Sequence, residues 1–230
     1  MKKALIVQGG WAGHEPVLVA ERFRILLEKE GFEVEVSDTL DIFLETEKIR
    51  ALHLIIPIWT MGSITSEQLT PIVEAVASGT GLAGCHGGMC DAFRESTEWQ
   101  FMTGGQWVAH PGGGDVEYTV NIIAGSSSIV DGIADFSVKS EQYYMHIDPA
   151  VEVLATTGIT ALNGYHVSNG PVDMPQIWTK KWGQGRVFYS ALGHNNALFD
   201  QPPVLEIMRR GFLWAVEGKD MVQVNESNSA

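Results

Sequence analysis

The chain has 230 residues, 45% of them apolar, enough to bury the core of one large domain without disulfides or metals. Its 28 acidic against 15 basic residues leave a formal charge of −13, which argues against nucleic acid or anionic membrane as partners, because phosphate contacts need clustered Lys and Arg. The apolar runs fall far short of a membrane span and the first residues read as a strand, so the expectation is a soluble, cytoplasmic protein.

Residues 4–7 read as a buried strand, followed by a loop with Gly9, Gly10, Trp11, Gly13 and His14. Val17, Val19, Ala20, Phe23, Leu26 and Leu27 form a helical stripe over residues 17–30, and Gly31 stops it. Residues 32–36 alternate as a second strand, 52–58 form a third, 66–77 a helix and 81–84 a fourth strand. This alternation predicts a doubly wound parallel sheet whose strands end at one carboxyl edge. Residues 9–14, 59–61 and 85–88 fall on that edge.

The fourth strand runs into Gly84-Cys85-His86-Gly87-Gly88, the pattern of a sharp strand-to-helix elbow. Serine and cysteine versions of this turn present a nucleophile at the centre. Here the centre is His86, and Cys85 sits one place early. Cys85 and Cys90 are too few for a disulfide framework and lack the C-x-x-C spacing of a redox pair.

The second half is less regular. Residues 93–106 read as helical, and Trp107, His110, Pro111 and Gly112 to Gly114 make a loop. Residues 116–123, 136–144 and 151–156 read as extended. Residues 177–182 and 186–191 form a hairpin around Gly183, Gln184 and Gly185. Gly193-His194-Asn195 ends that strand and 204–216 form a last helix. One domain is expected over residues 1–218, with 219–230, polar and unpatterned, as a disordered tail. The three glycines after Pro111 lack the Lys and Ser/Thr of a phosphate loop, and the first loop lacks the G-x-G-x-x-G of a dinucleotide fold. His166, among Asn163, Gly164, Ser168 and Asn169, reads as part of a surface loop.

The order of these motifs resembles the ThuA-like family, named after a trehalose-utilisation protein, within the class I glutamine amidotransferase-like superfamily. The resemblance runs over residues 4–217. It rests on the first loop ending in His14-Glu15, the elbow with His86, the segment from Trp107 to His110-Pro111, the stretch 141–146, Gly185-Arg186-Val187-Phe188-Tyr189 with Gly193-His194, and Phe212-Leu213-Trp214-Ala215. It implies a three-layer α/β/α sandwich of flavodoxin-like type with a mostly parallel central sheet, and a context of sugar metabolism. Amidotransferases of the superfamily use an elbow Cys with a downstream His-x-Glu. This chain has His86 at the elbow and no His-x-Glu in its last third, so it is not expected to be a glutamine amidotransferase.

The expected catalytic residues are His86, Glu141 and His194, with His14, Trp59, Tyr144, His146 and His110 binding substrate. Each also has a plainer reading: Glu15 beside His14 suits a helix cap, Glu141, Gln142, Tyr144 and His146 suit a solvent-facing strand, and His53 is structural. Imidazoles titrate near neutral pH and suit proton transfer beside a sugar or keto-sugar carbonyl, by isomerisation or epimerisation, with hydrolysis second. His14, His86 and His194 with a carboxylate also match the ligand set of a divalent ion such as zinc. The other reading is a non-catalytic sugar-binding or regulatory module that has lost the amidotransferase Cys. A small sugar is the expected partner, and a homo-oligomer is left open.

Overall fold

The computed structural model describes residues 1–160 and 164–229. Asn163 and Ala230, which the sequence assigns to a loop and a tail, lie outside the described residues. The chain opens with β1 (Lys2–Gly10), α1 (Pro16–Lys29), β2 (Phe32–Ser37), α2 (Thr46–Ala51), β3 (Leu54–Thr60), α3 (Ser66–Ala77), β4 (Gly81–Cys85) and α4 (Gly87–Cys90). It continues with α5 (Thr97–Thr103), β5 (Gly105–Ala109), β6 (Val116–Ile122), β7 (Phe136–Ser140), β8 (Tyr144–Ile147), β9 (Glu152–Ile159), β10 (Val172–Trp182), β11 (Gly185–Ser190) and α6 (Pro202–Ser229).

Ala4 to Val7 are all apolar because β1 is covered on both faces. Ala4 and Ile6 enter one core with Val19 and Phe23 of α1 and Met208 and Phe212 of α6. Leu5 and Val7 enter a second core with Ile49 of α2, Leu69 and Ile72 of α3, and Trp99 of α5. Successive strand residues point to opposite faces, so these two cores lie on either side of the sheet.

Nine of the described strands form one sheet in the order β2-β1-β3-β4-β11-β10-β9-β6-β7, and β5 pairs with β8 in a separate ribbon. The pairings from β2 to β11 are parallel, as the strand–helix alternation predicts. Those from β11 to β7 are antiparallel, which corrects the expectation of a mostly parallel sheet. The reversal is local in origin: Gly183, at φ 57°, lets the chain fold back within two residues between β10 and β11.

Two further boundaries differ from the sequence reading. The helix expected over 93–106 is only α5, because Gly104 at φ 87° ends it and β5 begins at once. Past Lys219, where the sequence suggests a tail, α6 runs on to Ser229. Lys219 Nζ donates to Arg50 O at 2.9 Å and Asp220 pairs with Lys2 at 2.8 Å, which ties this part of the helix to the body of the protein. No described helix is long and apolar enough to cross a membrane.

Candidate functional site

The elbow sits at the carboxyl end of β4. His86 has φ 49° and ψ −139°, a backbone strained for a residue with a side chain, and four contacts fix it. Its N–H donates to Ser190 O (2.7 Å), its carbonyl accepts from Tyr189 Oη (3.0 Å), and ring Nδ1 bonds Ala191 O (2.8 Å). The Tyr143 ring stacks on it at 3.9 Å between centroids. Gly87 is required next to it, since a β-carbon there would lie 2.7 Å from the His14 ring. Cys85 points into the core instead, where burial pushes its thiol up to about 12 and keeps it protonated.

Loops from distant parts of the chain meet at this point. His14 follows β1, His86 follows β4, Glu141 follows β7 and His194 follows β11, and one ligating atom from each lies within 4.8 Å of the others. Glu141 Oε2 is the hub. It stands 3.0 Å from His86 Nε2, 3.4 Å from His194 Nδ1 and 3.7 Å from His14 Nε2. His14 Nδ1 bonds Thr60 Oγ1 at 2.8 Å. The Nε2 of His14 and the Nδ1 of His194 are buried and have no hydrogen-bond partner among the described residues.

Electrostatics separates the roles of these groups. Burial lowers His86 to about 4, outweighing its contact with Glu141, so the ring is neutral near pH 7. Burial also works to raise Glu141, but the His14, His194 and His86 contacts together pull it well below the usual carboxylate range. His194, less buried, is raised by its contact with Glu141. The centre is an ionised carboxylate ringed by imidazoles.

The structure brings His14, His86, Glu141 and His194 together and adds His110, whose Nδ1 lies 3.8 Å from Glu141 Oε1. It places two other expected residues, Tyr144 and His146, elsewhere and packs a third, Trp59, over backbone glycines. Tyr144 packs against His166, 5.0 Å between centroids, and His146 is exposed opposite Gln106 in the β5–β8 ribbon. Side chains alternate here, so Tyr143 and Met145 turn inward while Tyr144 and His146 turn away. Trp59 packs its ring over Gly9 and Gly62. Glu15 does not cap α1: its carboxylate accepts the Asn196 N–H at 2.8 Å and so ties the His14 loop to the His194 loop.

Two aromatics beside the cluster were not legible as site residues. Trp11, 46% exposed, stands 4.7 Å from the His14 ring, and Trp107 lies 5.8 Å from His110 and 6.2 Å from Tyr143. Their neighbouring glycines and His110 marked both loops, yet only the fold shows which indole borders the cluster.

An α/β sheet with a histidine elbow at its carboxyl edge, in place of a nucleophile, defines the class of protein. The sequence profile described as ThuA, trehalose utilisation, matches residues 3–215, so the chain belongs to that family and to its carbohydrate-related role. Among solved structures, a ThuA-like protein of Parabacteroides merdae is 20% identical, with 95% of this chain and 91% of that one covered and a TM-score of 0.73. A ThuA-like protein of Bacteroides uniformis is 19% identical over 93% and 91%, with a TM-score of 0.71. The glutaminase domain of Trypanosoma brucei CTPS is similar in fold at 10% identity over 95% of each chain, with a TM-score of 0.55. No curated protein sequence matches the chain.

Proposed function

We propose that this protein is an enzyme of carbohydrate metabolism that moves a proton beside the carbonyl of a small sugar or keto-sugar, an isomerisation or epimerisation, with hydrolysis second. The observation that carries this is the convergence of three imidazoles on the buried Glu141 carboxylate at the carboxyl edge of the sheet, where α/β proteins place their ligands. His86 and Glu141 form the inner pair. His194 and His110 are the more open rings and exchange protons with substrate. Trp11 and Trp107 supply apolar faces for a sugar ring at the mouth. The buried, protonated Cys85 thiol speaks against amide hydrolysis through a thioester. The frame for this reading is a flavodoxin-like three-layer α/β/α sandwich of the class I glutamine amidotransferase-like superfamily, supported by helix-lined cores on both sheet faces.

The test is solvent exchange. Ketoses and keto-glycosides incubated with the protein in D2O should take up deuterium at the carbon next to the carbonyl and yield an isomer, read by mass spectrometry and NMR. Glu141→Gln should slow both about 10²–10⁴-fold. Sugars that bind without deuterium uptake or conversion would instead make the chain a sugar-binding module.

A further inference from the structure

Resting on the reading that this cluster is the reactive centre, we propose that it is the site of a resident first-row divalent cation of the zinc class, bound by His14 Nε2, His86 Nε2, His194 Nδ1 and Glu141 Oε2. The hydrogen-bond inventory supports this. A carbonyl oxygen only accepts, so the contact with Ala191 O makes His86 Nδ1 the N–H donor. The neutral ring then turns the lone pair of Nε2 toward Glu141 Oε2 at 3.0 Å, leaving two acceptors face to face. A second proton on the ring would settle that contact alone. It would also leave His14 Nε2 and His194 Nδ1 buried and unpartnered, aimed at the same carboxylate oxygen. One cation among the four atoms satisfies all of them, where unpaired buried polar groups are otherwise costly.

The spacing fits as well. Ligands of a tetrahedral ion with bonds of about 2.0–2.1 Å stand about 3.3–3.4 Å apart. Glu141 Oε2 lies 3.0, 3.4 and 3.7 Å from the three nitrogens, and no pair in the set exceeds 4.8 Å. The bonds from His14 Nδ1 to Thr60 Oγ1 and from His86 Nδ1 to Ala191 O are the outer contacts that fix a ligating ring's orientation and aim its other nitrogen at the ion. Three imidazoles and one carboxylate, without sulfur, suit zinc and its neighbours better than magnesium or calcium, which take oxygen ligands. His110 faces the other carboxylate oxygen and stays outside the ligand set, so with the ion bound it takes over the proton exchange that the ion-free reading shares between it and His194.

The experiment strips the wild-type protein with a chelator and titrates it with Zn(II) alone and Co(II) alone, followed by calorimetry and the visible bands of Co(II). One equivalent should bind, with bands of a four- or five-coordinate ion and a raised Tm. Glu141→Gln, His14→Ala and His194→Ala should each lose the stoichiometric ion, and the two loop substitutions keep the test valid if one variant misfolds. His110→Ala should retain it, and Thr60→Val should weaken it about 10–100-fold. No stoichiometric uptake by folded wild type, or unchanged affinity in the folded ligand variants, overturns the metal site. Sugar turnover that persists in chelator with no ion bound does the same, while leaving the acid–base centre standing. One ion bound with no sugar turnover supports the metal site and removes the proposed reaction instead.

Discussion

Adding one methyl group at residue 87 would test how tightly the centre must be built. In Gly87→Ala the new β-carbon would stand 2.7 Å from Cε1 and Nδ1 of His14 and 2.9 Å from Thr60 Oγ1, whereas ordinary contact begins at 3.4 Å. To clear it the His14 ring must retreat by about 0.7 Å, which disturbs both its bond to Thr60 and its aim at Glu141. Stability should change little. Gly87 opens α4 with ordinary backbone angles, so alanine gains about 0.5–1 kcal/mol over glycine, against about 1–3 kcal/mol for overpacking. At about 2–4 °C per kcal/mol for a chain of this size, the melt should fall by only a few degrees. Function should respond far more, because a misplacement near 1 Å costs about 10²-fold. Turnover in the deuterium-exchange assay should therefore drop about 10²-fold in a protein that still melts cooperatively. Wild-type turnover in Gly87→Ala would refute the idea that His14 is held where the chemistry needs it.

Three further outcomes follow from the same geometry. Glu141→Gln keeps the shape of the hub and removes its charge, so turnover should fall about 10²–10⁴-fold with the far-UV spectrum unchanged. Cys85→Ala should keep sugar turnover, and neither form should hydrolyse glutamine; labelling of Cys85 by a glutamine-analogue electrophile would contradict its place in the core. Asp148 is lowered by its bond from Lys180, so its contribution to stability is present above the unfolded carboxylate value, about 4, and disappears as pH falls through the lower folded value. Asp148→Asn should accordingly lower Tm at pH 7, with the gap to wild type closing as pH falls below the unfolded carboxylate value; a gap independent of pH would refute the pairing.

How far the sequence discloses this molecule depends on whether a feature is local. The elbow is local: glycines either side of His86 and an apolar strand before it suffice to place the turn and the ring. The loops of His14 and His194 are legible for the same reason, since each directly follows a strand that ends at the carboxyl edge. The β7–β8 segment is not. Whether Tyr143 or Tyr144 faces His86 depends on where β7 ends, and a shift of one residue exchanges the faces. Trp59 and Trp11 both flank glycines at the correct edge and both pack over them, Trp59 over Gly9 and Gly62 and Trp11 over Gly13, and only the fold shows that Trp11 stands against the His14 ring. The antiparallel half of the sheet turns on Gly183, whose hairpin is visible in sequence, while the strands that continue beyond it are chosen only by tertiary pairing.

The elbow and the second histidine also share one constraint, the register between β4 and β11. Cys85 stands opposite Ser190, and that alignment lets Ser190 O accept the His86 N–H, Tyr189 Oη reach the His86 carbonyl and Ala191 O fix the His86 ring. Strain of about 1–3 kcal/mol at a non-glycine residue with positive φ persists only where such contacts over-determine it. Three residues beyond Ala191 the same segment delivers His194 to Glu141. A slip of one residue between these strands would therefore take the support from His86 and withdraw His194 in the same step. Precise pairing of β4 with β11 is thus a condition of the cluster's geometry, and β11 is buried along nearly its whole length because it lies between the parallel and antiparallel halves of the sheet.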